Sequence, residues 1–247
     1  MKVLVLGASG ATGRWAAAEL LSQGHEVVAL VRSSGALHAL IGSSNQLTVI
    51  EETVLSIAQD RLTDIVASCD SVICCLGHTL SFKGIYGAPR MLVRDSLKRV
   101  CESVLLSANT DKIGRPLRVV LMNSTGCRNL DVCESISMAQ HGVLGLIRCL
   151  VPPHLDNEKA GNYLRKLSCN DSVLAKKIEW VVVRPDSLID EQNVSEYECH
   201  PSPIRSAIFD SGKTSRINVG NFMAKLILDE AIWKQWKGRM PVIYNAE

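Results

Sequence analysis

Hydrophobic residues along the chain fall in short unbroken runs, separated by stretches of mixed polarity long enough for helices. The first run, Val3-Leu4-Val5-Leu6, follows Lys2 and stops at Gly7. A continuous β-branched and aliphatic run of this length suits a strand buried on both faces, the condition of strands in a parallel sheet. Residues 11–23, rich in alanine and leucine, predict a helix closed by Gly24. Further strand-like runs lie at 25–31 (HEVVALV), 47–50, 71–76 (SVICCL), 117–122, 180–183 and 242–244. Between Met91 and Leu105, apolar residues at 93, 97, 100, 101, 104 and 105 mark one helix face, and another helix is expected around 139–150. Strand and helix alternate, which predicts βαβ units and a parallel sheet. Residues 186–216 break the pattern: they are polar, hold two prolines and lack sustained periodicity, as expected of a small lobe or loop cap over the sheet's C-terminal edge.

The chain of 247 residues is long enough to bury about three quarters of the surface its unfolded form exposes. No linker rich in Gly, Pro or Ser divides it, so residues 1–247 are expected to form one domain with 186–216 as a substrate-lobe insertion. With 27 Lys and Arg against 25 Asp and Glu, the net charge is +2, and no like-charge run exceeds Lys176-Lys177. That leaves no electrostatic footprint for nucleic acid or an anionic membrane surface. The nine cysteines are odd in number and include no C-x-x-C pair, so they do not read as a disulfide framework. Most sit in apolar stretches such as Val72-Ile73-Cys74-Cys75-Leu76, where a thiol acts as a small hydrophobe, and a reducing, cytoplasmic setting is expected. The run at 3–6 is too short for the core of a signal peptide, and no stretch approaches the roughly 18 residues of a membrane span. Sequons at Asn123, Asn170 and Asn193 have no meaning in that compartment.

One motif carries chemistry. Gly7-Ala8-Ser9-Gly10-Ala11-Thr12-Gly13 lies between the first strand and the first helix, where glycines permit a tight turn, approach of backbone to a pyrophosphate and close helix–strand packing. The helix N-terminus adds free N–H groups and a partial positive charge. The second strand ends at Val31, where dinucleotide folds selective for NAD carry a carboxylate to the ribose 2′-hydroxyl. Arg32 stands there instead, followed by Ser33 and Ser34, a set that makes charge-assisted bonds to a 2′-phosphate and predicts NADP(H). Arg14 is within reach of the same phosphate or of the pyrophosphate. No metal-ligand spacing, Walker A lysine or G-x-S-x-G elbow occurs. Trp233 and Trp236, at three-residue spacing on a late helix, read as packing and surface.

LGASGATGR after the first strand, ALVR after the second, Cys75-Leu76-Gly77 after the fourth, Met122-Asn123-Ser124 after the fifth and Trp180-Val-Val-Val-Arg184-Pro185 together resemble the atypical short-chain dehydrogenase/reductases. Among these the chain is most similar to the NAD(P)H-binding group that includes NmrA-like regulators and flavin, biliverdin and quinone reductases. Ser215-Arg216-Ile217-Asn218-Val219-Gly220-Asn221-Phe222 matches a late motif of that group, with Asn218 in place of its aspartate. The resemblance implies a Rossmann-like, doubly wound parallel sheet with helices on both faces and a small C-terminal substrate lobe. It implies that Gly7, Ser9, Gly10, Ala11, Thr12 and Gly13 contact the pyrophosphate, Arg32 the 2′-phosphate, and Leu76, Gly77 and Pro185 the ribose and nicotinamide side. Ser124 takes the position of the active-site serine, and Thr53, beside Glu52, stands where the group has a Gly-Asp pair near the adenine.

The pattern breaks at the proton donor. Short-chain dehydrogenases use Tyr-x-x-x-Lys, the lysine lowering the tyrosine pKa and holding the ribose; here Tyr163 is followed four positions later by Leu167. Glu158-Lys159-Ala160-Gly161-Asn162-Tyr163 best matches the group's helix and makes Lys159 the ribose lysine without a tyrosine partner. His78, after Gly77, is a candidate to supply a proton or to line the substrate site. The leading expectation is an NADPH-dependent oxidoreductase that passes hydride to a small conjugated acceptor such as a quinone, flavin or enone, with Ser124, Lys159 and His78 as catalytic candidates. The alternative is a non-catalytic NADP(H)-binding sensor or regulator acting on a protein partner. An epimerase or dehydratase of nucleotide-sugars fits less well, because those relatives keep the tyrosine–lysine pair.

Overall fold

A computed structural model of the protein describes residues 1–42, 44–79, 81–107, 115–132, 134, 138–168 and 173–246. Cys133, Cys169 and the sequon at Asn170 lie outside the described residues. The elements follow in the order β1 (Lys2–Leu6), α1 (Gly13–Ser22), β2 (Glu26–Leu30), α2 (Gly35–Ile41), β3 (Leu47–Ile50), α3 (Gln59–Ser68), β4 (Ser71–Cys74), α4 (Phe82–Tyr86), α5 (Leu92–Leu106) and β5 (Leu117–Met122). The second half comprises α6 (Met138–Leu150), α7 (Pro152–Ser168), α8 (Val173–Lys177), β6 (Ile178–Pro185), β7 (Ser187–Ile189), β8 (Tyr197–His200), β9 (Lys213–Ser215), α9 (Arg216–Leu228), α10 (Glu230–Trp236) and β10 (Val242–Asn245).

Eight strands form one sheet in the order β3-β2-β1-β4-β5-β6-β10-β8. Every pairing in it is parallel except β10 with β8. The order reverses between β1 and β4, the position at which a doubly wound sheet opens a crevice at the carboxyl ends of its strands. Because the central strands are covered on both faces, their residues alternate between two cores rather than between core and water. Leu4 and Leu6 of β1 pack with α3, α5 and α7 through Leu62, Leu97 and Leu164. Val3 and Val5 pack with α1, α9 and α10 through Leu20, Phe222 and Trp233. An Ala16-Ala17 surface on α1 and Gly220 on α9 bring those two helices so close that a Cβ on Gly220 would lie 2.6 Å from Trp15 Cβ.

The structure sharpens two expectations. Residues 186–216 contain three strands, with β8 closing the sheet antiparallel and β7 pairing with β9 in parallel. Short edge strands with one wet face carry no continuous apolar run, so periodicity does not reveal them. Trp233 and Trp236 are both buried; Trp233 Nε1 donates to Glu179 Oε2 at 2.7 Å, and the Arg118 guanidinium lies over its ring at 4.8 Å. Among the described residues, no helix is long and apolar enough to cross a membrane.

Candidate functional site

The loop from Gly7 to Gly13 turns on contacts that only glycine permits. Gly7 has φ +76°, and a Cβ there would lie 2.8 Å from the Cys75 carbonyl oxygen of the neighbouring strand end. A Cβ on Gly13 would lie 2.2 Å from the Gly7 carbonyl oxygen, so α1 starts pressed against the loop that precedes it. The Gly10 amide donates to the Gly7 carbonyl at 2.9 Å and the Arg14 amide to the Gly10 carbonyl at 3.2 Å. The amides of Ala11, Thr12 and Gly13 find no backbone acceptor among the described residues. Thr12, the N-cap, makes no side-chain capping bond, and the first turn of α1 has no acidic residue. Arg14 Nε is buried without a hydrogen-bond partner among the described residues. Uncapped amides, the positive end of a helix and an orphaned guanidinium donor are complementary to an anion such as a phosphate.

At the end of β2, Arg32 and Ser33 are exposed, and Arg32 makes no ion pair among the described residues. The Ser34 amide is already used: it donates to Glu51 Oε1 at 2.7 Å, and the bonds from Ser34 hold the Glu51 carboxyl below its ordinary range. Thr53 sits past β3 with its hydroxyl closed on Ser56 Oγ at 2.7 Å, and Glu52 is paired with Arg61. Their side chains therefore start from local partners rather than from open space.

Across the switch point, Leu76 is half-buried and Gly77 exposed, with nothing within 4 Å of a Cβ placed on it. His78 is turned inward. Its Nε2 lies 2.8 Å from Asp156 Oδ2 and its Nδ1 3.1 Å from the Gly84 carbonyl. Asp156, fully buried on α7, also accepts from the amides of Val93 and Arg94 at 2.8 and 3.0 Å, so one carboxylate caps α5 and fastens the loop after β4. With both ring nitrogens engaged, His78 holds this corner together instead of facing the crevice with a free nitrogen.

Beyond β5, the Asn123 amide donates to the Val183 carbonyl at 2.7 Å, and its side chain bonds the Asn157 carbonyl at 2.9 Å and the Ser124 amide at 2.9 Å. Among the described residues Ser124 Oγ has one weak partner, Cys127 Sγ at 3.9 Å. A Cβ on Gly126 would lie 3.5 Å from Ser124 Oγ and 3.3 Å from His154 Cε1, so the serine and His154 border the same spot. Burial of His154 lowers its pKa, against the raising effect of Glu158, whose Oε1 is 3.4 Å from His154 Nε2. Lys159 is exposed on α7 and makes no ion pair among the described residues. Tyr163 faces the other way, toward Cys101 of α5, and burial pushes its pKa up, so it is no acid for the crevice. Pro185 ends β6, its carbonyl accepting from the Thr125 amide at 3.1 Å.

A cavity of about 370 Å³ adjoins this edge, with Thr125, Arg128 and Leu144 on one side and Ile204, Arg205 and Phe209 on the other. Its walls are tied by a buried cation. Arg184, fully buried, donates from Nε to the Met240 carbonyl at 2.8 Å and from Nη1 to the Cys127 carbonyl at 3.0 Å, reaches the Pro201 carbonyl at 3.4 Å, and pairs with Glu134 at 2.7 Å. Ser206 Oγ donates to Gln140 Oε1 at 3.0 Å across the opening.

Sequence reasoning gave no site role to Asp156, Arg184, Arg128 or His154. Asp156 has no local signal, since its partners lie 62, 63 and 78 positions away. Arg184 did carry one: a cation closing an apolar strand run must be buried, and a buried cation must be paired.

Comparison with known proteins agrees with this geometry. The sequence profile of the NAD(P)H-binding family matches residues 7–230. No curated protein sequence matches the chain. Among solved structures, it is similar to a short-chain dehydrogenase/reductase from Veillonella parvula in complex with NADP, with a TM-score of 0.67 at 13% identity over 99% of this chain and 94% of that one. It is also similar to a proposed NADH-flavin reductase from Streptococcus pneumoniae, with a TM-score of 0.63 at 17% identity over 100% of both chains. A proposed NAD-dependent epimerase/dehydratase from Bacillus halodurans gives 0.66 at 18% identity over 100% of this chain and 95% of that one. At such identities the solved structures speak to the fold alone, but the profile spans the glycine loop, the switch point and α9, and on that ground the chain belongs to the NAD(P)H-binding family.

Proposed function

We propose that this protein is an NADPH-dependent oxidoreductase that reduces a small conjugated acceptor, such as a quinone, flavin or enone. The observation that carries the reading is the cavity of about 370 Å³ lined in part by Thr125, one residue beyond Ser124 at the carboxyl end of β5, where a doubly wound sheet presents its ligands. The residues of the glycine loop fit the cofactor. The amides of Ala11, Thr12 and Gly13 and the orphaned Nε of Arg14 would hold the pyrophosphate, with Ser9 beside them. Arg32 and Ser33 would take a 2′-phosphate, since Glu51 already occupies the Ser34 amide; that no carboxylate among the described residues pairs with Arg32 supports NADPH over NADH. Leu76, Gly77 and Pro185 would border the ribose and nicotinamide, and Lys159, which makes no ion pair among the described residues, is the donor left for the ribose.

Bound reduced nicotinamide supplies two electrons and one proton as hydride. What the chain adds follows from which groups have donors to spare. Tyr163 is packed against α5 and His78 is held by Asp156 and Gly84, so neither delivers a proton to the crevice. Ser124 Oγ, with one weak sulfur contact, remains able to hydrogen-bond an oxygen that gains negative charge. An acceptor that spreads this charge over a conjugated system needs no stronger acid, and its second proton comes from solvent. A small-molecule partner and a cytoplasmic setting belong to the same reading, supported by the thiol state of Cys69, Cys74, Cys75, Cys101, Cys127 and Cys199.

Steady-state oxidation of NADPH and NADH with quinones, flavins and aldehydes tests this. Expected are turnover of conjugated acceptors over aldehydes and a preference for NADPH that Arg32→Ser reduces about tenfold or more. Tight NADPH binding without turnover of any acceptor would overturn the enzyme reading in favour of a non-catalytic sensor.

A further inference from the structure

We infer that the cavity selects acceptors that carry an anionic group, a carboxylate or phosphate, on a planar apolar body, and that Arg128 is the anchor for the charge. The inference rests on the reading of this cavity as the acceptor site and names the chemistry it admits.

Arg128 lines the cavity in a half-buried position. A guanidinium has five N–H donors and no acceptor. Among the described residues Arg128 uses one, from Nη2 to the Glu134 carbonyl at 3.4 Å, and its Nε is shut off from solvent without a partner. The carboxylates nearest in the chain do not neutralise it: Asp131 pairs with Arg165 at 2.6 Å. Glu134 is committed to Arg184 at 2.7 Å and to the Asn129 amide at 2.9 Å. Arg205, the second cation of the lining, has its own carboxylate, with Nε 3.7 Å from Asp210 Oδ2. Arg184 thus pairs with Glu134 and Arg205 with Asp210, the buried carboxylate of Asp186 is held by the Thr125 hydroxyl and the Gly212 amide with Arg205 as its charged neighbour, and Arg128 makes no ion pair among the described residues. A cation held partly out of water with most of its donors unused is stabilised by an anion that enters.

The rest of the lining defines the body attached to that anion. Leu144 is buried, while Ile204 and Phe209, on the same lining, stand 60% and 61% exposed and so are accessible to a ligand. They offer apolar contact to a flat ring system.

The test uses two probes of equal shape, 2-naphthoate and 2-naphthamide, which differ in one charge and undergo no reduction. Their affinities are measured by isothermal titration calorimetry on the full chain, with and without saturating NADP. Expected is binding of 2-naphthoate at least about tenfold tighter than the amide, falling with salt. Arg128→Gln should bring the two affinities to within twofold, with affinity for NADP and for the amide unchanged. Equal binding of the two probes in the unmodified protein, binding of neither, or an undiminished preference in R128Q overturns the inference. The probe comparison needs no variant, so a misfolded R128Q leaves it decisive. A carboxylate preference without turnover of any acceptor would remove the reductase reading and keep the anion site; turnover without the preference would do the reverse.

Discussion

Replacing Arg184 with methionine removes the cation that ties three segments to β6. In the folded protein its guanidinium satisfies the carbonyls of Met240, Cys127 and Pro201 and the buried carboxylate of Glu134. Methionine fills similar volume but leaves the Glu134 charge, on a side chain 3% exposed, without its partner. Loss of one member of a buried ion pair costs about 3–5 kcal/mol, because the remaining charge stays desolvated. For a chain of this size one kcal/mol moves the melting temperature by about 2–4 °C, so R184M should melt roughly 6–20 °C lower by calorimetry. Glu134→Leu in the same background removes the stranded charge, and the double variant should be more stable than the sum of the single losses by about 0.5–3 kcal/mol. Because Cys127, Glu134 and Pro201 lie on or beside the cavity wall, R184M should also raise KM for the acceptor more than it alters NADPH affinity. A loss below about 1 kcal/mol in R184M, or simple additivity in the cycle, would refute the assignment of Arg184 as the tie between these walls.

Gly13→Ala should abolish measurable dinucleotide binding in a fluorescence titration, since its Cβ would fall 2.2 Å from the Gly7 carbonyl oxygen and push α1 off the loop that presents its amides. Asn218→Asp should destabilise the protein by about 1–3 kcal/mol in urea titrations: the buried Asn218 amide donates to Ser195 Oγ and Asn245 Oδ1, both at 2.9 Å, and a carboxylate has nothing to donate. Burial pushes the thiols of Cys74, Cys101 and Cys127 up to about 12, so iodoacetamide at pH 8 should spare them in the native protein and label them in urea, as read by mass spectrometry. The same shifts set a sign for stability. Unfolded thiols lose their protons near about pH 8.5 while the folded ones keep them, so these cysteines stabilise the fold fully below that pH, and the urea midpoint should fall as pH rises toward 12. A midpoint that rises between pH 8 and 10 would contradict this.

How much of this was legible in the sequence depends on how local each interaction is. The parallel strands could be read because each is buried on both faces, and burial on both faces leaves an unbroken apolar run such as Val3-Leu4-Val5-Leu6. The dinucleotide loop could be read because its requirement, close backbone approach between a strand and a helix, is met within seven consecutive residues. The place of Arg32 could be read for a related reason, since it is counted from the end of a recognisable strand, β2. His78 and Lys159 show the limit. Their positions are sequence facts, but whether a nitrogen faces the crevice or a buried aspartate on another helix is decided by the packing of α7 against α5.

By itself, then, the sequence determined the sheet, its nucleotide-binding edge and the missing tyrosine–lysine pair, all features encoded by hydrophobic period and short spacing. The tertiary structure alone decided how charges are shared. It spent Glu134 on Arg184 and Asp210 on Arg205, turned His78 onto Asp156, and left Arg128 facing a cavity closed by residues more than sixty positions away. Ion pairing depends on distances between segments that the chain brings together only when it folds, and no local pattern records them.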